Sequence, residues 1–265
     1  MPPPTRWVVA VKHGIDVNLT RANPTTGRID LAHAPRKTSD FDKNAVEEAV
    51  RLRAKHGGTV TAVTVGTSTA REALRDALSL GADQGVLLLA AEDSVMDSSA
   101  VATALAGYFQ NPTCRFDLAL FGEGSTDHFS GTVGPGVAAH LGLPSLCHVR
   151  QLTIEGEHLR VLRDLESGVE ELETGLPAVV TVGQEINTPR TPTFLSTLKA
   201  SKKDIQEIPI SSLGLDGTTG PAPVTIQESF VPSMPRKRVR VAGGDAAEVS
   251  AALVMALREE GIDRR

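Results

Sequence analysis

The hydrophobic residues of this chain alternate between short continuous runs and stretches with helical spacing. Continuous runs lie at residues 7–12, 59–65, 85–89 and 118–121, and such runs are typical of strands buried in a parallel sheet. Apolar residues with helical spacing occur at residues 44–52 and 70–80, at 98–106 after a capping Asp97 or Ser98, and at 133–141. This alternation predicts an α/β domain with a mostly parallel sheet, flanking helices and right-handed crossovers.

Two polar segments precede the first helix. Turn signals at residues 23–24 and 26–27 predict a small hairpin formed by residues 18–21 and 28–32. The helix itself opens at Ser-Asp-Phe-Asp, residues 39–42. We expect Asp40 or Asp42 to accept hydrogen bonds from the first-turn N–H groups.

The second half of the chain has a different pattern. Runs at 146–154, 158–165, 169–174 and 178–182 are separated by turns, so we expect strands, some of them in antiparallel pairs. Two prolines prevent residues 186–195 from forming one regular element, and Lys199, Lys202 and Lys203 follow on a short predicted helix. Residues 208–235 are rich in Pro, Gly, Ser and Thr and predict an extended arm. An amphipathic helix at 245–260 follows the arm. Its position beyond the arm allows it to dock on another part of this chain or on another chain.

Three loops fall at the carboxyl ends of predicted strands, at residues 12–16, 66–69 and 122–132. Open α/β sheets bind ligands at that edge, so the three loops are expected to converge on one ligand. The loop at 122–132 is rich in Gly, Ser and Thr and leads into a helix, a layout that presents backbone N–H groups to phosphate. It lacks the P-loop Lys and the dinucleotide glycine spacing. An ordinary strand-to-helix turn is the alternative.

Composition narrows the classes of function. A net charge of −5 and 3% aromatic residues argue against nucleic acid as the primary partner. Cys114 and Cys147 do not have the spacing of metal ligands, and two cysteines are too few for a disulfide framework. The first residues show no signal-peptide apolar region, and the densest apolar run, 86–91, is too short to cross a bilayer. We therefore expect a cytoplasmic protein without membrane insertion.

Catalytic signatures are also lacking in the sequence. No Ser/His/Asp order, His/Cys cluster or pair of carboxylates indicates a catalytic residue or a metal site. This pattern favours a binding protein whose cofactor carries the chemistry, rather than an enzyme in its own right.

Several motifs resemble the beta subunit of electron transfer flavoproteins, nearly end to end. The most specific are Ala-Val-Glu-Glu-Ala-Val-Arg-Leu at 45–52 and Asn-x-Pro-Arg at 187–190. Supporting matches are Val-Ala-Val-Lys at 9–12, Ala-Val-Thr-Val-Gly at 62–66, Gly-Ala-Asp at 81–83, the glycines and Asp of 122–134, Leu-Pro-Ala-Val-Val-Thr at 176–181, and Lys-Ala-x-Lys-Lys at 199–203. The chain departs from the family at Ser39-Asp40 (usually Asn-Pro), at Val65 (usually Cys) and across the core of the glycine loop.

The resemblance implies a heterodimer with an alpha subunit that carries most of the FAD. The beta subunit then holds AMP in the pocket of its sheet, or a second FAD in flavin-bifurcating relatives. The implied organisation is an α/β nucleotide-binding domain at residues 1–183, a partner-recognition loop at 184–204, and an arm with a helix that docks on the partner subunit at 205–265.

The cofactor-binding candidates combine the three strand-end loops with the family positions. They are Ala10, Lys12, Ser39, Phe41, Val65, Gly66, Gly122, Ser125, Asp127, Ser130, Gly131, Thr132 and Val133. Asp127 either accepts from a ribose hydroxyl, orients a loop amide or caps the helix. Phe41 either faces the partner's flavin or packs in the core, and Lys12 either helps to recognise adenine or is a solvated charge.

The partner-binding candidates lie in and after the proline-broken loop. They are Pro189, Arg190, Phe194, Leu195 and Lys199. By position Phe194 is the apolar anchor that the resemblance implies for docking on a dehydrogenase, because an isolated large apolar residue in an irregular exposed loop otherwise has little use. Lys199 either steers an acidic partner or is a solvated charge.

The sequence thus predicts an electron carrier subunit that takes electrons from flavin dehydrogenases and passes them to a quinone-linked oxidoreductase. Two alternatives stay open. One is a subunit of a bifurcating, NADH-dependent complex, although the Asp-Gly-Asp-Thr-Ala-Gln loop of that type is absent. The other is a stand-alone adenine-nucleotide-binding module, which would not need the segment 187–203, the arm or the terminal helix.

Overall fold

A computed structural model describes residues 6–23, 26–31, 33–91, 96–214, 227, 230 and 236–262. Within them lie eleven strands and six α-helices. The strands are β1 (Arg6–Ala10), β2 (His13–Ile15), β3 (Arg36–Thr38), β4 (Thr59–Gly66), β5 (Gln84–Leu89), β6 (Leu118–Gly122), β7 (Ser145–Glu155), β8 (His158–Leu165), β9 (Gly168–Gly175), β10 (Ala178–Val182) and β11 (Ile205–Pro209). The helices are α1 (Asp40–His56), α2 (Arg71–Leu80), α3 (Ser98–Gln110), α4 (Val133–Leu141), α5 (Phe194–Ser201) and α6 (Ala246–Glu259).

Nine strands form one sheet in the order β11-β5-β4-β1-β6-β10-β7-β8-β9. The pairs from β11 to β7 are parallel, whereas β7, β8 and β9 pair antiparallel. The predicted α/β class and the antiparallel extension are thus confirmed.

The central strands of the sheet are buried between two layers of helices. The side chains of α1 and α2 share one apolar core with the buried face of β1, and those of α3 and α4 share the other. The central strands are buried on both faces, which explains why their sequences are continuous apolar runs rather than alternating patterns.

The segment between β10 and β11 crosses most of the parallel part of the sheet. We call this segment, residues 183–204, the strap. β10 and β11 are five strand positions apart, or roughly 24 Å at the usual strand spacing. The strap includes α5, which packs against α2.

Two local predictions are wrong. Residues 17–19 form a turn, and the predicted hairpin is reduced to a single bridge between Ala22 and Ile29; residue 32 lies outside the described part. The small antiparallel pair is instead β2 with β3. Residues 205–209, which the predicted domain division places in the arm, form an edge strand of the main sheet.

Other differences are shifts of boundary. α3 extends four residues beyond the predicted end at 106. Most of the predicted arm, residues 215–226, 228–229 and 231–235, lies outside the described residues. The predicted C-terminal helix is present as α6, and Asp245 caps it by accepting from the N–H of Glu248 at 2.9 Å.

Candidate functional site

The sheet places its switch point beside β1. From β1 the chain passes through α1 to β4 and through α2 to β5, and then returns through α3 to β6 on the other side of β1. The carboxyl ends of β1 and β6 therefore flank the crevice in which such sheets bind ligands. We call it the strand-end crevice.

Lys12 and Asp127 join the two loops of this crevice. Lys12 Nζ donates to Asp127 Oδ1 at 2.7 Å and to Ser125 Oγ at 3.2 Å. The N–H of Ile15 donates to Asp127 Oδ2 at 3.1 Å, and the N–H of His128 donates to Asp127 Oδ1 at 2.9 Å. The convergence of the loops after β1 and β6 is thus present as direct contacts.

Both oxygens of Asp127 are occupied by groups of this chain, and its side chain is only 5% exposed. Burial alone would raise the pKa of Asp127, but hydrogen bonds from His128, Lys12 and Ser125 outweigh it and hold that pKa far below its usual range. Of the three roles considered for Asp127, orienting loop amides is the one these contacts describe. A ligand contact stays a prediction.

Asp42 forms a second link between β1 and β6, which the sequence did not suggest. Its Oδ2 accepts from the N–H of Lys12 at 2.7 Å, and its carboxylate also accepts from the N–H of Gly122. Ser39, at the N-cap of α1, makes no side-chain capping bond, and Asp40 pairs with Lys37 and Lys43. The expected capping role of Asp40 or Asp42 is therefore wrong, because Asp40 binds lysine side chains and Asp42 binds an N–H group outside the helix.

Asp42 is almost completely buried. Burial raises its pKa to about 7, although the N–H groups of Lys12 and Gly122 and the charge of Lys12 act in the opposite direction. Gly122 is fitted to this arrangement, because a Cβ there would overlap the Asp42 carboxylate and lie 2.7 Å from Phe41 Cβ. The sequence does show a carboxylate, Asp42, directly after Phe41, but a helix-capping role explained that residue equally well.

Two aromatic rings meet at the rim of the crevice. The ring centroids of Phe41 and Phe129 are 5.3 Å apart. Phe129 has a left-handed backbone, with φ of 46°, and its side chain is 55% exposed. Gly124 makes room for it, since a Cβ at that position would lie 2.6 Å from the Phe129 ring. A strained residue that keeps an aromatic ring in solvent is a candidate functional feature.

The N-terminal end of α4 lies at the other end of the same loop. Thr132 makes no side-chain cap, so among the described residues it leaves the N–H groups of Val133 and Gly134 available to another acceptor. Ser130 Oγ lies 2.9 Å from Ser98 Oγ at the start of α3 and 3.4 Å from Thr132 Oγ1. Helix N–H groups beside a cluster of hydroxyls suit a phosphate.

Two buried hydroxyls near the crevice have no hydrogen-bond partner within the described residues. They are Thr126 Oγ1, in the loop itself, and Ser39 Oγ, at the start of α1. Buried polar atoms of proteins are normally paired. Thr126 Oγ1 in the loop and the Lys12 ammonium, whose side chain is 43% exposed, fit an anionic, hydroxyl-bearing ligand such as a nucleotide. Ser39 is completely buried and does not reach such a ligand.

The remaining predicted cofactor residues are not all at the surface of the crevice. Ser39 is completely buried. Ala10 ends β1, while Val65 and Gly66 end β4, the strand on the far side of β1 from β6. Gly66 O accepts from the N–H of Ala90. A ligand shared by residues 66–69 and the loops after β1 and β6 stays a prediction.

The strap carries the predicted partner-binding residues. Phe194, Leu195 and Leu198 are 86%, 58% and 43% exposed; we call these three residues the strap patch. Thr193 caps α5 by accepting from the N–H of Ser196 at 3.1 Å. Lys199 is exposed and Pro189 is partly buried.

Arg190 differs from the other predicted partner residues because its guanidinium is already paired. Its Nε donates to Glu47 Oε2 at 2.7 Å and its Nη2 to Glu47 Oε1 at 3.1 Å. The guanidinium therefore binds α1 of its own chain.

The described residues contain neither a helix that could span a membrane nor a cluster of metal ligands. No helix among them has the length and apolar character needed to cross a membrane. The same residues contain no group of three or more His, Cys, Asp or Glu side chains placed to hold a metal ion.

Comparisons with known proteins agree with the fold. The family model described as "Electron transfer flavoprotein domain" matches residues 27–213. The chain is 37% identical to the electron transfer flavoprotein subunit beta of Bacillus subtilis, over 89% of this chain and 91% of that protein. It is 35% identical to the protein of the same name from Sus scrofa, over 97% and 98% of the two chains. The chain therefore belongs to the electron transfer flavoprotein beta subunit family.

Proposed function

We propose that this chain is the beta subunit of a heterodimer in which an alpha subunit holds most of the FAD. The complex takes electrons from flavin dehydrogenases and passes them to a quinone-linked oxidoreductase in the cytoplasmic compartment. The observation that carries the proposal is the near end-to-end match to beta subunits, together with a strand-end crevice built from this chain's own residues. The chain is a carrier subunit rather than an enzyme, because the bound flavin supplies the electron transfer.

The crevice holds AMP. Lys12 and the hydroxyls of Ser125, Ser130 and Thr132 surround the phosphate, and the amides from Gly131 to Val133 donate to it. This arrangement is supported by the uncapped start of α4 and by the charge that Lys12 keeps at the surface. Asp127 and Asp42 hold the loops in place, and their contacts with this chain support that role.

The rim of the crevice faces the partner's flavin. Phe41 contacts the flavin, and its packing on the exposed Phe129 supports an aromatic surface at this position. The outward face of α6 binds the alpha subunit; Leu253, Val254 and Met255 are 46%, 41% and 62% exposed, and exposed apolar residues in a row are typical of an interface.

The strap patch docks on the dehydrogenase, with Phe194 as the anchor and Lys199 as a steering charge. Its support is the exposure of three large apolar side chains on one turn of helix. Large aromatic side chains are frequent anchors at interfaces.

The proposal is tested by co-expressing the chain with its neighbouring alpha subunit and identifying the nucleotides released on denaturation. One FAD and one AMP per heterodimer are expected. Two FAD molecules would indicate the bifurcating alternative. A colourless stable monomer that binds ATP would refute both and indicate the stand-alone module.

The docking role has a separate test. Phe194→Ala is expected to raise the KM of a reducing dehydrogenase for the heterodimer while the FAD content stays the same. Loss of FAD in this variant would show that Phe194 has a structural role instead.

A further inference from the structure

The strap patch lies on a helix that is too short to be stable alone. α5 has eight residues, and isolated helices of fewer than about 12 residues are marginal in water. Its three large apolar side chains point away from the core, and only Ala200 of this helix is buried. The conformation of the patch therefore depends on the packing of α5 against α2 and on contacts elsewhere in the strap.

One end of the strap is fixed to α1 by two amides. Asn44 Nδ2 donates to the backbone oxygen of Asn187 at 2.8 Å, and Asn187 Nδ2 donates in return to the backbone oxygen of Asn44 at 3.1 Å and to Glu48 Oε2 at 2.9 Å. Asn44 is buried. The pairing is reciprocal, so it fixes both the position and the direction of the strap as it leaves β10.

Three residues further along, Arg190 makes a second attachment to α1. Its Nε and Nη2 bind the two oxygens of Glu47, and its backbone N–H also donates to Glu47 Oε2 at 3.2 Å. The Glu47 side chain is 5% exposed and the Arg190 side chain 47%. Burial would raise the pKa of Glu47, but hydrogen bonds from Arg190 and Arg51 outweigh it and hold that pKa below its usual value.

The other end of the strap is fixed to α2. Arg75 Nη1 donates to the backbone oxygens of Ala200 and Lys203, both at 2.6 Å. Lys203 Nζ donates to the backbone oxygen of Ala82 at 2.8 Å. The strap patch thus lies between two anchored ends, and Arg190 is the last anchored residue before it.

We propose that Glu47 and Arg190 are positioning residues that hold the strap patch in its docking conformation before a partner arrives. Arg190 is therefore not itself a partner contact. This inference rests on the proposed docking role of the strap. Because the strap is already ordered, binding a dehydrogenase does not cost the conformational entropy of ordering it. The affinity for the dehydrogenase is therefore higher.

Arg51 provides a matched control. It also donates to Glu47, from Nε to Oε1 at 3.0 Å, but it lies one turn further along α1, and no hydrogen bond or ion pair between described residues joins it to the strap. Removing either arginine takes one cation from the same carboxylate, whereas only removing Arg190 releases the strap. Arg190→Lys retains the charge and loses the two-pronged geometry.

The experiment uses the assembled heterodimer and one purified flavin dehydrogenase that reduces it. Arg190→Met is expected to raise the KM for the heterodimer at least tenfold with little change in kcat, and to accelerate amide hydrogen exchange in residues 187–199. Arg51→Met is expected to change both quantities less than twofold. Arg190→Lys should fall between the wild type and Arg190→Met, and the FAD content should be the same in all variants.

The outcomes separate this inference from the proposed function. If Phe194→Ala raises the KM but Arg190→Met does not, docking stands and the positioning role is refuted. If Phe194→Ala leaves the KM unchanged, the docking role itself is refuted. Equal effects of Arg190→Met and Arg51→Met, or loss of FAD in Arg190→Met, would also overturn the inference, because the pair would then act through the general stability of α1.

Discussion

Asp42 gives the sharpest test of the electrostatics of the crevice. Its carboxyl is buried, and its pKa is raised from an ordinary value of 3.8 to about 7. The folded chain therefore holds a proton that the unfolded chain releases between these values. The free energy of unfolding is expected to fall as the pH rises through this window, because ionised Asp42 is penalised only in the folded state.

The magnitude follows from the shift. One unit of pKa corresponds to about 1.4 kcal/mol, so the loss of stability between pH 5 and pH 8 is roughly 3 kcal/mol. Asp42→Asn is neutral at every pH and should not lose this amount. The free energy of unfolding of Asp42→Asn, relative to that of the wild type, is thus expected to rise by roughly 3 kcal/mol from pH 5 to pH 8.

Urea unfolding followed by tryptophan fluorescence measures this difference. Trp7 is the one tryptophan of the chain and is buried in β1. Asp40→Asn is the control: burial would raise the pKa of Asp40, but Lys37 and Lys43 lower it overall, so its titration lies below the window. Parallel stability curves for the wild type and Asp42→Asn between pH 5 and pH 8 would refute the assignment of a raised pKa to Asp42.

Two glycine substitutions test the packing of the same loops. Gly122→Ala puts a Cβ onto the buried Asp42 carboxylate and is expected to cost about 1–3 kcal/mol in urea unfolding, whereas Gly175→Ala, where a Cβ meets nothing within 4 Å, should change stability by less than about 0.5 kcal/mol. Gly124→Ala pushes on the ring of Phe129, which is exposed and can swing outward, so its cost should be about 1 kcal/mol or less. A larger cost for Gly124→Ala than for Gly122→Ala in the same unfolding measurement would contradict this account.

The strands and helices that form the two buried faces could be predicted from the sequence, because continuous apolar runs and helical spacing are local signals. β11 could not. Ile205 packs against one apolar core and Ile208 against the other. The strand therefore lacks the alternation of apolar and polar residues that marks a strand with one buried face. Pro209 also argued against a strand, yet proline is tolerated at the edge of a sheet.

The residues of the crevice were found only in part, for a related reason. Strand-end position identified Lys12, Ser125 and Asp127, since the carboxyl ends of parallel strands meet at one edge. The role of Asp42 depends on contacts with Lys12 and Gly122, 30 and 80 residues away along the chain, and no local pattern encodes them. The pairing of Arg190 with Glu47 likewise spans 143 residues, and no local pattern predicts it.

The position of β11 bears on how the chain is completed during synthesis. The strap leaves the ribosome before residues 205–209, so while those residues are still unmade one end of the strap is attached to β10 and the other has no strand to hold it. β11 then pairs with β5, about 120 residues earlier in the chain, and long-range pairings of this kind form slowly. The surface that we propose for docking thus gains the strand at its C-terminal end last, in addition to its contacts with α1 and α2.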